Sequence, residues 1–190
     1  MIEITMTILA AYPLSKTNEE FPGRSVISLF FLICMIFGGG LVPTYIQVAK
    51  ELKLNNTIWA LVLPGAVSIG HIVLLMNFFR SIPKDIEEAA KIDGASRMQV
   101  LIRIIFPVAA QGIAVSAMYV WLNAWNEFTY ALYLSLSTKT LPLQVYYYTQ
   151  RGGFFQTAAY STILAIPVII VTFLLQRYLK SDYLSGAVKG

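Results

Sequence analysis

The chain has 190 residues, of which 57% are hydrophobic and only 13% charged, with 14 Lys and Arg against 10 Asp and Glu for a formal net charge of +4. A soluble domain carries charge on roughly a quarter of its residues, so this composition excludes an ordinary water-soluble domain and points to lipid as the solvent. The small net charge, held at segment ends, argues against nucleic acid as a partner, and the single cysteine, Cys34, excludes a disulfide framework within the chain.

A membrane-spanning helix needs about 20 largely apolar residues. Residues 1–12 form a short apolar stretch with Glu3 near its beginning and without the basic start or small-residue cleavage site of a signal peptide. They read as the end of a transmembrane helix. Residues 25–42 are uncharged and finish in Gly38-Gly39-Gly40 before Pro43, a helix terminus. Residues 57–79 are uncharged with Pro64 and Gly65 near the start, residues 104–126 are uncharged, and residues 152–176 are uncharged with Pro167 inside. Proline is tolerated in membrane helices because neighbouring groups re-satisfy the freed carbonyls. The expectation is a single all-α, polytopic transmembrane domain over 1–190, with four complete spans and a partial N-terminal one.

Basic residues set the orientation. Counting from an inside start, Lys16, Arg24, Arg80, Lys84, Lys91, Arg97, Arg103, Arg177, Lys180 and Lys189 fall inside, and Lys50, Lys53, Lys139 and Arg151 outside. This bias predicts a cytoplasmic loop at 80–106 and a cytoplasmic C-terminus.

That loop differs from its surroundings. Pro83 suits a first helical turn, and Asp85, Glu87 and Glu88 oppose the positive end of the helix dipole. Gly94 ends the helix by reaching the left-handed conformation cheaply, and Ser96 with Gln99 forms a capping box that starts a second helix. Met98, Leu101, Ile102 and Ile105 fall at helical spacing, to pack against the spans. Ile86, Ala89 and Ala90 give the first helix a face that another surface can approach closely. From the residues alone, this helix either docks on a partner or rests on the lipid headgroups.

Polar residues inside the tracts are the remaining candidates. His71 and Asn77 read as helix-to-helix hydrogen-bonding groups, or as functional groups within the membrane. Asn123, Asn126 and Glu127 share a helix face. A charge at a span centre costs about 2.5–3.5 kcal/mol, so Glu127 is expected to face a pathway, a partner or the outer interface. Tyr119, Trp121 and Trp125 lie nearby and suit either sugar contact or an interfacial aromatic belt. Tyr146-Tyr147-Tyr148 suits such a belt or a docking surface. The sequence holds no metal-ligand cluster, phosphate-binding loop or nucleophile–base pair, so no catalytic residue, metal or ATP site is expected in this chain.

Glu88-Ala89-Ala90, Gly94, Ile104 and Pro107 resemble the EAA motif of ABC importer permeases. The fuller string Glu87-Glu88-Ala89-Ala90-Lys91-Ile92-Asp93-Gly94-Ala95-Ser96 resembles the carbohydrate-type, maltose-transporter-like branch. So do Trp125-Asn126-Glu127-Phe128, Leu141-Pro142-Leu143-Gln144 and Gly186-Ala187-Val188-Lys189-Gly190. The likeness covers essentially the whole chain, with two departures: Phe106 stands where the family commonly has leucine, and Gln111 where it often has a second proline. Family members are longer at the N-terminus and usually have six spans. Residues 10–16 resemble the end of their second span, so the chain is expected to lack the first span and most of the second.

The resemblance implies an importer permease of the inner membrane that moves a sugar or oligosaccharide inward without hydrolysing ATP. It implies four kinds of partner: a second permease subunit, a cytoplasmic ATPase dimer that binds ATP and Mg, an extracytoplasmic solute-binding protein, and the bilayer. Residues 87–90, 93–96 and Pro107 would couple to the ATPase, with Glu88 as a polar contact, Ala89 and Ala90 in close packing and Gly94 at the bend. Tyr119, Asn123, Asn126 and Glu127 would be pathway candidates, and the 185–190 tail resembles tails that reach the ATPase. The alternatives are a permease for a non-sugar solute, an ATP-independent secondary carrier, and a non-transporting fragment that only occupies the ATPase. The absence of a detectable internal repeat argues against the carrier.

Overall fold

Glycine and proline decide where the apolar tracts break. A computed structural model describes residues 1–135 and 139–187, with side chains to residue 174, and every regular element among them is helical. The side chains of Arg177 and Lys180 and the end of the 185–190 tail lie outside the described residues. In chain order the elements are α1 (Ile2–Ser15), α2 (Arg24–Ile36), α3 (Leu41–Tyr45), a π-helical segment π1 (Ile46–Glu51), α4 (Ile58–Val62), α5 (Ile69–Arg80), α6 (Lys84–Ile92), α7 (Arg97–Val100), a second π-helical segment π2 (Leu101–Ile105), α8 (Phe106–Val108), α9 (Ala110–Trp125), α10 (Thr129–Leu134), α11 (Leu141–Gln150) and α12 (Phe154–Ala187).

The all-α class is as expected, but the tracts are more broken than their hydropathy suggests. The 25–42 tract stops at Ile36, before the three glycines, and resumes at Leu41 after Gly40 adopts φ +78°. The 57–79 tract is two helices, α4 and α5, parted at 63–68 where Pro64 and Gly65 stand. The 104–126 tract is interrupted at Ala109, between α8 and α9. Only the last tract is continuous, and Pro167 sits inside α12 without ending it. Among the described residues, therefore, one helix is long and apolar enough to cross a membrane, over Phe154–Leu174, and up to three spans result if each of two bent helix pairs counts as one. Of the four complete spans expected from composition, the last is one continuous helix and the others are broken among the described residues. Hydropathy registers apolar length but not the backbone breaks that proline and glycine introduce within it.

The chain divides into two compact units, Met1–Gly38 with Val67–Val120, and Gly39–Ala66 with Trp121–Gly190. In the first, α1 lies along α5 in the same direction: Glu3 meets His71 near one end, and Tyr12 meets Phe79 edge-on at 5.7 Å near the other. Ala11, Leu14, Ile72, Leu75 and Phe79 form its core together with Ala90, Val100 and Ile105 from the loop region. Helix α9 approaches α5 closely at Gly112, where a Cβ would stand 2.5 Å from the Phe78 ring. Small residues at such crossings let membrane helices come together.

The second unit has a smaller core of Val48, Ala60 and Leu134, to which Tyr45, Leu54 and Tyr130 add. The Asn56 N–H donates to the Leu134 carbonyl at 2.8 Å. Helix α11 packs on α12, where Tyr148 stacks on Tyr160 at 5.2 Å, and the Trp125 indole donates to the Leu164 carbonyl at 3.1 Å.

Candidate functional site, a capped helix pair at 84–105

Helix α6 begins after Pro83, whose fixed φ of −58° leads the chain in, and carries Asp85 and Glu87 in its first turn, where the dipole favours carboxylates. Its exit is fully hydrogen-bonded. The Gly94 N–H donates to Lys91 O at 3.1 Å and the Ala95 N–H to Ala90 O at 3.0 Å, the paired bonds of a Schellman ending. Gly94 has φ +81° with nothing within 4 Å of where a Cβ would stand, so its requirement for glycine is conformational and not steric. Two residues later the capping box expected from the sequence is present. Ser96 Oγ accepts from the Gln99 N–H at 3.3 Å, and the Ser96 N–H donates to Gln99 Oε1 at 2.8 Å. The corner between the helices thus satisfies its own backbone groups at both helix ends.

Helix α6 has two different faces. Glu87 and Ala90, three apart, turn inward: Ala90 joins the first unit's core and Glu87 is 8% exposed. The Lys16 ammonium binds both carboxylate oxygens of Glu87 and also lies 4.4 Å from the centre of the Tyr12 ring. Asp85, Glu88, Ala89 and Ile92 are all exposed, and their spacing (i, i+3, i+4, i+7) places them on one outward face. Ile92 is 85% exposed. It was not singled out in the sequence, although an isoleucine at the last helical position before Asp93-Gly94 breaks the inward rhythm of Glu87 and Ala90. Of the small-residue face expected from Ile86, Ala89 and Ala90, only Ala89 and, in part, Ile86 remain accessible. Asp93, the C-terminal cap, is exposed, Ala95 is half-buried, and Pro107 is exposed at the start of α8.

The second helix behaves differently from the expectation. Its continuation as π2 widens the turn and aligns residues four apart in two rows. Leu101 and Ile105 are buried, whereas Met98 and Ile102 are 61% and 54% exposed. Purely α-helical spacing would set all four on one side, against the spans.

A second ion pair ties α6 to the segment after α1, Lys91 Nζ to Glu20 Oε1 at 3.2 Å. Desolvation pushes the Glu20 carboxyl upward, but the Thr17 N–H and the Lys91 ammonium outweigh it and hold the group below its ordinary value near 4.5.

Of the pathway candidates, Tyr119 and Asn123 lie one turn apart on α9, whereas Asn126 and Glu127 follow its end. Tyr119 belongs to the first unit, where its ring lies 6.4 Å from that of His71. His71 Nδ1 and Glu3 Oε1 are 2.7 Å apart with both side chains largely buried, so His71 makes the helix-to-helix bond that was one of its two readings. Asn123, Asn126 and Glu127 belong to the second unit. Helix α9 ends at Trp125, so these three do not continue one helical face. Asn126 Nδ2 donates to Leu122 O, and Glu127 Oε1 accepts the Tyr130 N–H at 2.6 Å at the start of α10. Glu127 therefore serves as a helix cap. The Trp121 and Trp125 rings stack at 5.5 Å. Beside Tyr147 and Tyr148, a recess of about 250 Å³ is lined by Lys139, Gln144 and Arg151. Among the described residues no group of three or more His, Cys, Asp or Glu is placed to hold a metal ion.

The fold and the loop together define a polytopic helical membrane protein with a built corner projecting from its first unit. Residues 6–184 match the family described as "Binding-protein-dependent transport system inner membrane component", and the chain belongs to that family. It is 32% identical over 207 residues to protein LplC of Bacillus subtilis, covering 100% of this chain and 69% of that one. It is 34% identical over 195 residues to the trehalose/maltose transport system permease protein MalG of Thermococcus litoralis, covering 98% and 69%. The crystal structure of a bacterial ABC transporter involved in the import of the acidic polysaccharide alginate matches with a TM-score of 0.78 and 27% identity, over 93% of this chain and 69% of that one. The resemblance to carbohydrate-type ABC permeases is thereby borne out. The protein is a membrane-embedded transport permease and not an enzyme, ATP hydrolysis in such importers being done by a separate ATPase.

Proposed function

We propose that this permease contributes half of a membrane pathway that carries a saccharide inward, and that the outward face of α6 docks on a cytoplasmic ATPase. The observation that carries the docking reading is the pair of unlike faces on α6. Its inward face is tied down by Glu87 and Ala90, while Glu88, Ala89 and Ile92 stay free on a corner capped at both helix ends. A lever needs that combination. Closure of a partner moves the α1–α5 pair as a body only if the loop between them does not yield, as in rigid-body switching elements generally. The other expected partners are a second permease subunit and an extracytoplasmic binding protein, and ATP and magnesium belong to the ATPase. The basic-residue bias supports a cytoplasmic α6 and C-terminus. Saccharide as the cargo class is supported by the trehalose/maltose and alginate systems among the relatives. Asn123, Asn126 and Tyr119 remain the pathway candidates, whereas Glu127 is already engaged as a cap.

Co-purification tests the docking face. Ile92→Asp alters an exposed side chain and is expected to leave the protein's thermal unfolding within about 0.5 kcal/mol of wild type, yet to lose the ATPase. If Ile92→Asp retains the ATPase and its transport-stimulated hydrolysis, α6 is not the docking element.

A further inference from the structure

Beside α6, at the end of the α1–α5 pair where Tyr12 meets Phe79, lies a cavity of about 360 Å³ that shares only Glu88 with the outward docking face. Its wall is rich in charge, and the charges do not balance. Lys16 is spent on Glu87 and Lys91 on Glu20. That leaves Arg24, Arg80 and Lys84 in the wall against only Glu88, whose side chain lies on the exposed side of α6. None of these three cations has a carboxylate within 4 Å among the described residues.

The two arginines also converge. Arg24 Nε donates to the Leu14 carbonyl at 2.8 Å, and Arg80 Nη2 reaches the same oxygen at 3.5 Å. One neutral acceptor at the end of α1 therefore holds two guanidinium ions side by side, with most of their N–H donors unspent. Like charges gathered on one oxygen repel, and an anion in the recess would relieve them. Arg24 moreover opens α2, whose first turn holds no acid to offset the positive helix end. Paired guanidinium groups with forked donors suit the oxygens of a phosphate, and basic pockets between membrane helices are a recurrent place for lipid head groups.

We infer that the cavity bounded by Arg24, Arg80 and Lys84 binds a phosphate-bearing anion, the head group of an anionic phospholipid or free phosphate. Arg24 and Arg80 grip the phosphate oxygens from beside the Leu14 carbonyl, and Lys84 adds a charge from the start of α6. Glu88 borders both this site and the docking face, but Ile92 does not line the site, so loss of ATPase binding in Ile92→Asp would leave it intact.

The full chain, purified in non-ionic detergent and stripped of lipid, is titrated with short-chain phosphatidylglycerol, phosphatidylcholine and inorganic phosphate, and adducts are counted by native mass spectrometry. The expected result is a saturable single adduct with phosphatidylglycerol, weakened by about tenfold in Arg24→Gln and again in Arg80→Gln. Lys50→Gln, which removes a cation from the other unit, should leave it unchanged. Displacement of the lipid by inorganic phosphate, or an arginine-dependent adduct with phosphate alone, also supports the site and names a soluble source. Lys84→Gln, an exposed side chain, gives a weaker loss and guards against a failure of the arginine variants to fold. The inference is overturned if wild type binds neither ligand, if phosphatidylcholine binds as well as phosphatidylglycerol, or if binding persists undiminished in folded Arg24→Gln/Arg80→Gln.

Discussion

Helices α1 and α12 are both apolar, yet they relate to their surroundings in opposite ways. Helix α1 buries Thr7, Ala11 and Leu14 and holds its neighbours by polar ties, Glu3 to His71 and, just past its end, Lys16 to Glu87. Helix α12 exposes Ile163, Ile166, Ile169, Ile170 and Phe173, each about half accessible or more, and none of its 18-residue apolar window is buried within the chain. A soluble protein could not sustain so much bare apolar surface on one helix. In a permease the bilayer or a neighbouring subunit covers it. One helix is thus specified by its partners within the chain, and the other by its solvent.

Substitutions in the packed first unit and on α12 should fail for different reasons. The largest effect is expected from Glu87→Ala, which leaves the Lys16 ammonium largely buried and unpaired. Breaking such a pair costs about 3–5 kcal/mol, measurable as lost thermal stability in detergent, and Lys16→Met/Glu87→Leu should recover most of it. A double variant as unstable as the single one would remove the ion pair from its place in the comparison. On α12, Ile166→Asp should cost about 3–4 kcal/mol in membrane insertion, read from glycosylation-mapped insertion of the segment, while leaving the α1–α5 contacts untouched. Gly112→Val comes next. Its side chain collides with Phe78, and overpacking of this kind costs about 1–3 kcal/mol. Restoration by Phe78→Ala would sharpen the assignment to that single contact.

The smallest effect is the pH response of Glu20. Its carboxyl is held below the ordinary value, so the stabilising contact with Lys91 is fully present above about pH 4.5 and is lost as pH falls through the lower, folded-state value. Glu20→Gln should therefore match wild type at the acid end and fall slightly below it at neutral pH in thermal unfolding. A difference that grows on acidification would have the wrong sign.

The parts of this molecule that were legible beforehand are the local ones. Gly94, Ser96 and Gln99 act within a few residues of one another, so spacing alone announces the two caps. The tie between Lys16 and Glu87 spans 71 residues, and that between Glu3 and His71 spans 68. Neither leaves a periodic trace, and the inward turn of Glu87 was invisible for that reason. The π turn at 101–105 has no compositional signature, so α-helical spacing alone sets Met98 and Ile102 on the packed side, where they are in fact exposed. Pro64-Gly65 and the three glycines at 38–40 were visible as punctuation, but an uncharged run reads as one helix until backbone geometry divides it. Glu127 illustrates the remaining gap. A carboxylate in an apolar stretch invites a functional reading, and only the fold reveals the backbone N–H of Tyr130 that it serves.

The bond between Glu3 and His71 also has a consequence in time. A ribosome adding about 5–20 residues per second takes on the order of ten seconds to make the 68 residues that separate the two. Through that interval the carboxylate emerges without the imidazole that will satisfy it. Helix α1 therefore carries an unsatisfied carboxylate until α5 has been made.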